Sequence, residues 1–186
     1  MKKMYMMKML KQTAGVAGLA AMFVACAPQG GDEGGAAPAA VNQSAAPVDI
    51  TIFDSGTGQE NYEGGWITDV PSALKIAKEQ NKLVLMDFTG SDWCPPCKML
   101  HMNVLTSVEF EALAKDNFVL VELDFPQRVK QTDRLKDANA KLSEHFGIEG
   151  FPTVIVVDPE LKQVFRQTGY APLDEYLGIL KKDLGI

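Results

Sequence analysis

Trp93-Cys94-Pro95-Pro96-Cys97-Lys98 is the stretch on which the reading of the whole chain turns. It follows an apolar run, Leu83 to Phe88. The two period-2 faces of that run, Leu83/Leu85/Asp87 and Val84/Met86/Phe88, are both largely apolar. That pattern predicts a central strand covered on both sides. A helix is expected to begin near Cys94. Two residues between cysteines at a helix N-terminus bring their sulfurs within bonding distance. The first sulfur then lies near unpaired backbone N–H groups and the positive end of the helix dipole. Both favour its thiolate, the nucleophile of disulfide exchange. The second sulfur sits deeper and can close the ring to expel a partner. A C-x-x-C in this setting reads as a dithiol redox site with no other cofactor.

Outward from the motif, strands and helices alternate. Val48 to Phe53 alternates as a short strand, and the stretch through Gly58 and Gly64-Gly65 reads as loop. Val70, Ala73, Leu74 and Ala77 fall at helical spacing within 68–80, with Pro71 tolerable in the first turn. A further helical stretch runs from Ser107 to Lys115. Phe118 to Phe125 is a second apolar strand stopped by Pro126. Leu135, Ala138, Leu142 and Phe146 mark one face of another helix, ended by Gly147. Thr153 to Val157 is a third strand, Gln163 to Arg166 returns as a fourth, and Leu173, Leu177 and Leu180 stripe a helix beginning near Pro172. The core order is β-α-β-α-β-β-α after an extra N-terminal strand and helix. Alternation implies parallel pairing and the closing hairpin adds antiparallel pairs, so the class is α/β with a mixed sheet flanked by helices.

Three motifs in this order carry a resemblance. Asp87-Phe88, Trp93-Cys94-Pro95-Pro96-Cys97 and Gly150-Phe151-Pro152-Thr153 make residues 66–186 resemble the thioredoxin superfamily. Phe88-Thr89-Gly90-Ser91-Asp92-Trp93-Cys94 is similar to its exported bacterial branch of thioredoxin-like lipoproteins. The resemblance implies a thioredoxin fold. It implies that Cys94 attacks and Cys97 resolves, forming a redox-active disulfide between them. Pro152 corresponds to a cis-proline facing the cysteines. Phe151 would offer its main chain to an extended substrate, strand to strand. Trp93 would wall that groove, with Pro95 and Pro96 at its edge. Substrates would be protein or peptide thiols and disulfides. A binding module of the same fold, holding a peptide without turnover, is the alternative that the intact cysteines disfavour.

Asp87 can also be reasoned from its surroundings. Within an apolar central strand its carboxylate is expected to be buried, which raises its pKa and makes it a proton acceptor near neutrality. The alternative is an aspartate at the strand end in solvent. In thioredoxins the corresponding acid helps deprotonate the second cysteine. Here six residues separate Asp87 from Cys94, one more than in thioredoxin, and the extra residue is read into the 89–92 loop. Glu122 would either couple to Asp87 or point to solvent. His101 would either tune Cys97 from one turn away or stand as an ordinary histidine, and His145 reads as a helix-end residue. Their spacing from the cysteines matches no familiar zinc module, so no metal is expected. Met99 and Met102 read as packing residues. Pro95 and Pro96 lack N–H groups, so Cys94 relies on Cys97 and the helix dipole, and its thiolate is only moderately favoured. This predicts a reductase or isomerase, not a strong oxidant.

The N-terminus places the activity. Residues 1–11 are basic, and Ala14 to Ala25 are small and apolar. Twelve helical residues span about 18 Å, short of the roughly 30 Å hydrocarbon core, so residues 1–25 read as a signal peptide. Phe23-Val24-Ala25-Cys26 resembles a bacterial lipoprotein signal, which implies a lipid on Cys26. Ordinary cleavage after Ala27 is the alternative, and it would leave Pro28 just past the cut. Of residues 27–47, 14 are Ala, Gly or Pro, so 26–47 reads as lipidated cysteine and flexible tether. Its reach is about 25 Å. The expected location is a bacterial membrane, facing the periplasm or the exterior, with a membrane-bound electron donor. Without the four lysines of residues 1–25, 14 bases face 24 acids, a net −10 that excludes a nucleic-acid binder. Residues 48–186 remain as the thioredoxin-like domain. Lipidation predicts that the full-length product partitions into detergent and that Cys26→Ser abolishes this. A mature water-soluble protein beginning at Pro28 would contradict it.

Overall fold

Strand β2 (Leu83–Thr89) holds the centre of the computed structural model, which describes residues 48–57 and 64–186. It pairs parallel with β3 (Phe118–Asp124) on one side and antiparallel with β4 (Thr153–Val157) on the other. Beyond β3 lies the two-residue β1 (Trp66–Ile67), and beyond β4 lies β5 (Gln163–Thr168), giving the order β1-β3-β2-β4-β5. This is the mixed sheet that the alternation of elements predicts.

Period-2 alternation divides the core into two layers. Val84, Met86, Phe88, Val119, Val121 and Leu123 face α1 (Val70–Gln80) and α4 (Asp133–His145). Leu85, Phe118, Leu120, Val154 and Val156 face the opposite way. There they meet α2 (Pro95–Leu100), the π turn His101–Leu105, α3 (Val108–Asn117) and α5 (Leu173–Leu184). Both faces of β2 are therefore covered, as its sequence demands.

The first strand departs from expectation. Ile50–Phe53 is a 3-10 turn, and the N-terminal strand lies instead at Trp66–Ile67, just past the stretch read as loop. The cause is local. The Asp49 carboxylate accepts from the Thr51 N–H at 3.0 Å and the Thr51 hydroxyl at 2.7 Å, closing a turn that competes with extension. Ile50 and Ile52 stay exposed, and only Phe53 enters the core. The hairpin strand β5 runs two residues further than Arg166.

Asp69 joins this N-terminal turn region to the domain. Its Oδ2 caps α1 by accepting from Ser72 N–H at 3.0 Å, and its Oδ1 accepts from the backbone and hydroxyl of Ser55, both at 3.0 Å. Burial pushes its pKa up, but the hydrogen bonds from Ser72 and Ser55 outweigh that and hold it below 3.8. Asp69→Ala is expected to lower stability in urea by about 1–3 kcal/mol at neutral pH. The native state favours the carboxylate, so the difference is present above 3.8 and shrinks as pH falls through the lower native value.

Candidate active site

Strand β2 delivers the chain to a four-residue bend before α2. Within the bend, Trp93 N–H and Cys94 N–H donate to the Gly90 carbonyl, at 3.3 and 2.9 Å. Position 90 must be glycine for a steric reason. A Cβ there would lie 2.5 Å from Trp93 Cε2. The indole packs against that backbone, and its Nε1–H donates to the Phe125 carbonyl at 2.7 Å.

Helix α2 opens with Cys94 as its N-cap. Pro95 and Pro96 have no N–H to donate. The next amide, that of Cys97, donates to Cys94 Sγ at 3.3 Å, and Lys98 N–H donates to the Cys94 carbonyl at 3.2 Å. The two cysteines form a disulfide, S–S 2.05 Å, with Cα atoms 5.3 Å apart. Cys94 is 3% exposed and Cys97 2%, so both residues are buried. Pro95 and Pro96 are the exposed residues between them.

The Phe151–Pro152 bond is cis, as the resemblance implies. Phe151 is half-buried and meets Trp93 edge-on at a centroid distance of 5.8 Å. It also meets Phe125 at 5.1 Å. Trp93, Phe125 and Phe151 thus form an aromatic wall beside the disulfide. Met99 and Met102 are 42% and 64% exposed and are not packing residues. The buried stripe through this segment is Cys97, Leu100 and Val104, and the two methionines fall between its positions.

Asp87 sits inside β2, on the Leu85 face covered by α2 and α5, and is 4% exposed. Its Oδ1 has no hydrogen-bond partner. Burial first, then the charges of Glu122 and Asp124, push its pKa up to about 7. Glu122 lies directly across from it in register. The coupled alternative for Glu122 therefore holds: it is half-buried, and burial, then Asp124, push its pKa up while His101 opposes the shift. Tyr176 of α5 is fully buried with its hydroxyl unpartnered. Burial and then the Asp87 charge push that hydroxyl's pKa up. His101 is exposed at the start of the π turn. It lines a cavity of about 670 Å³ with Trp66, Lys82, Leu105 and Phe118, and neither cysteine lines that cavity. His145 does end α4, between the rings of Phe53 and Phe146, where burial lowers its pKa. Cys26 falls outside the described residues.

Sequence reasoning missed the residues that fix the bend. Ser91 donates its N–H and hydroxyl to the Asp124 carboxylate, at 2.9 and 2.6 Å. The Asp92 carboxylate accepts three backbone N–H groups, from Gln127 at 3.0 Å, Arg128 at 2.6 Å and Val129 at 3.2 Å. The Gln127 amide first, then the other two with the Arg128 charge, hold the Asp92 pKa below its ordinary value against desolvation. The extra residue between Asp87 and Cys94 was the one available signal.

A family model described as a thioredoxin-like domain matches residues 70–183. The chain is 36% identical over 100 residues to the disulfide bond reductase DsbH of Chlamydia pneumoniae, covering 54% of this chain and 60% of that protein. It is 32% identical over 119 residues to the thioredoxin-related protein DsbJ of the same organism, covering 64% of this chain and 34% of that one. The match thus spans less than two thirds of either relative's length. A solved structure of a DsbH oxidoreductase superposes with a TM-score of 0.62 at 29% identity, over 69% of this chain and 96% of that chain.

The buried acid yields a stability prediction. Asp87 holds its proton up to about pH 7 in the native state and only to its ordinary 3.8 when unfolded. Stability is therefore fully present below 3.8 and is lost as pH rises toward 7. Asp87→Asn, which cannot ionise, should be more stable than the parent by about 2–4 kcal/mol at pH 8 and by little at pH 4. Urea unfolding at the two pH values measures the difference.

Proposed function

Because the chain belongs to the thioredoxin superfamily, with a thioredoxin-like domain over residues 70–183, we propose that it is a thiol–disulfide oxidoreductase working through Cys94 and Cys97. The observation that carries this reading is the Cys94–Cys97 disulfide at the start of α2. In the dithiol form, the Cys94 thiolate attacks one sulfur of a substrate disulfide. A mixed disulfide forms and one substrate thiolate leaves. Cys97 then loses its proton toward Asp87 and attacks Cys94 Sγ, releasing the second substrate sulfur as a thiolate. Two electrons pass to the substrate, which takes up two protons, and the chain returns to the disulfide. Asp87 suits the proton transfer because its pKa, about 7, lies near the working pH.

We read the direction as reduction or isomerisation. One amide, Cys97 N–H, meets Cys94 Sγ, and the carboxyls of Asp87 and Glu122 lie on the sheet face beneath α2. A single donor above an acidic pair favours a thiolate only moderately. The groove of Trp93, Phe151 and Pro152, edged by Pro95 and Pro96, would hold an extended protein or peptide substrate. The basic start and short apolar run of residues 1–25, the Phe23-Val24-Ala25-Cys26 pattern and the Ala/Gly/Pro-rich 26–47 support reading the domain as exported and held by a lipid on Cys26 to a bacterial membrane, facing the periplasm or exterior. There a membrane-bound donor would return it to the dithiol.

Cys97→Ser should accumulate mixed disulfides with substrates and Cys94→Ser should not, as read on non-reducing gels. Equal trapping by the two variants would contradict the assignment of attacking and resolving sulfurs. A reduced wild-type chain that leaves hydroxyethyl disulfide untouched would contradict the enzyme reading itself.

A further inference from the structure

Asp92 has an unusual allocation. It is half-buried two residues before Cys94, yet both its oxygens are committed to the amides of Gln127, Arg128 and Val129. The segment it holds, residues 126–131, reads Pro-Gln-Arg-Val-Lys-Gln. It begins at the carbonyl neighbour of Trp93: the Phe125 carbonyl accepts the indole N–H and its ring meets Phe151 at a tilt. The segment is thus fixed at the edge of the aromatic wall beside the disulfide. Arg128, Val129 and Lys130 are exposed there, Val129 by 62%.

The charge of this segment runs against that of the protein. Beyond residue 25 the chain has 24 acids and 14 bases, but residues 126–131 hold two bases and no acid. Lys98, next to Cys97, adds a third cation and donates to the Asp92 carbonyl at 3.2 Å. Among the described residues, none of Lys98, Arg128 and Lys130 forms an ion pair. The nearby carboxylates of Asp92 and Asp124 are committed to amides and to Ser91. A peptide laid along Phe151 would pass this cationic rim with its residues flanking the reacting sulfur.

We propose that residues 126–131, positioned by Asp92, form a specificity element that favours peptide substrates bearing a carboxylate side chain beside the reacting cysteine. The inference rests on the oxidoreductase reading and names its substrate class. Arg128 and Lys130 supply the attraction, Val129 an apolar contact, and Asp92 the position of all three. Such exposed attraction is modest and screened by salt.

The test uses the reduced full-length chain in detergent and two disulfide peptides that are identical except for Glu or Lys beside the cysteine. Single-turnover reduction should favour the Glu peptide by about fivefold at low salt, and the ratio should fall toward one in about 1 M salt. Arg128→Glu/Lys130→Glu should reverse the preference, an outcome that misfolding cannot produce. Asp92→Ala should bring the ratio close to one although both cations remain. A wild-type ratio of one, or a ratio unmoved by the double reversal, overturns the proposal. So does a double reversal that abolishes binding to phosphatidylglycerol vesicles while leaving the peptide ratio intact, which would make the rim a lipid contact. If wild type reduces neither peptide nor hydroxyethyl disulfide, the oxidoreductase reading fails. If it reduces all three with no preference, only this inference fails.

Discussion

The first turn of α2 has a single amide free to donate, and it donates to a sulfur. An α-helix ordinarily leaves its first N–H groups seeking acceptors. Here Pro95 and Pro96 remove two of them, Lys98 N–H reaches the Cys94 carbonyl, and the Cys97 amide meets Cys94 Sγ. The helix thus needs Cys94 as its cap, and the cap is the group proposed to do the chemistry. Fixing the helix start fixes the sulfur. It also limits how strongly a thiolate there can be favoured, because no second backbone donor lies between the cysteines.

The rest of the site holds that helix start in place. Gly90 lets the indole of Trp93 lie on the backbone, Ser91 and Asp92 tie the bend to β3 and the segment after it, and Phe151 closes the aromatic wall. Under α2, burial and then the charges of Glu122 and Asp124 push the Asp87 pKa up to about 7, and burial and then Asp124 push that of Glu122 up as well. Two carboxyls stacked across adjacent strands cost stability, as the expected gain on neutralising Asp87 implies. Their retention is what a proton-transfer role for Asp87 would require.

Much of this was legible before any coordinates. The apolar faces of Leu83 to Phe88 announce a covered central strand, and the helix readings place α1 to α5 within a few residues of where they lie. The C-x-x-C after that strand places the disulfide. Long periodic segments carry such information because burial enforces their period. Val48 to Phe53 misled because alternation over six residues is weak evidence against one aspartate able to close a turn on Thr51. Trp66–Ile67 is too short for any period to show. Met99 and Met102 looked like core because hydrophobicity alone does not say which side of a helix faces inward. Ser91, Asp92 and Asp124 were invisible as a group, since their bonds join positions more than 30 residues apart and follow from the sheet register. Glu122 could be assigned only once its register against Asp87 was known.

With one amide above an acidic pair, the Cys94 thiolate is proposed to be only moderately favoured and the pair to be reducing or isomerising. Equilibrating the full-length chain with glutathione buffers at pH 7 measures this directly. The expected potential lies near the thioredoxin value of about −270 mV. A potential near about −120 mV, the strongly oxidising end of the range, would contradict it.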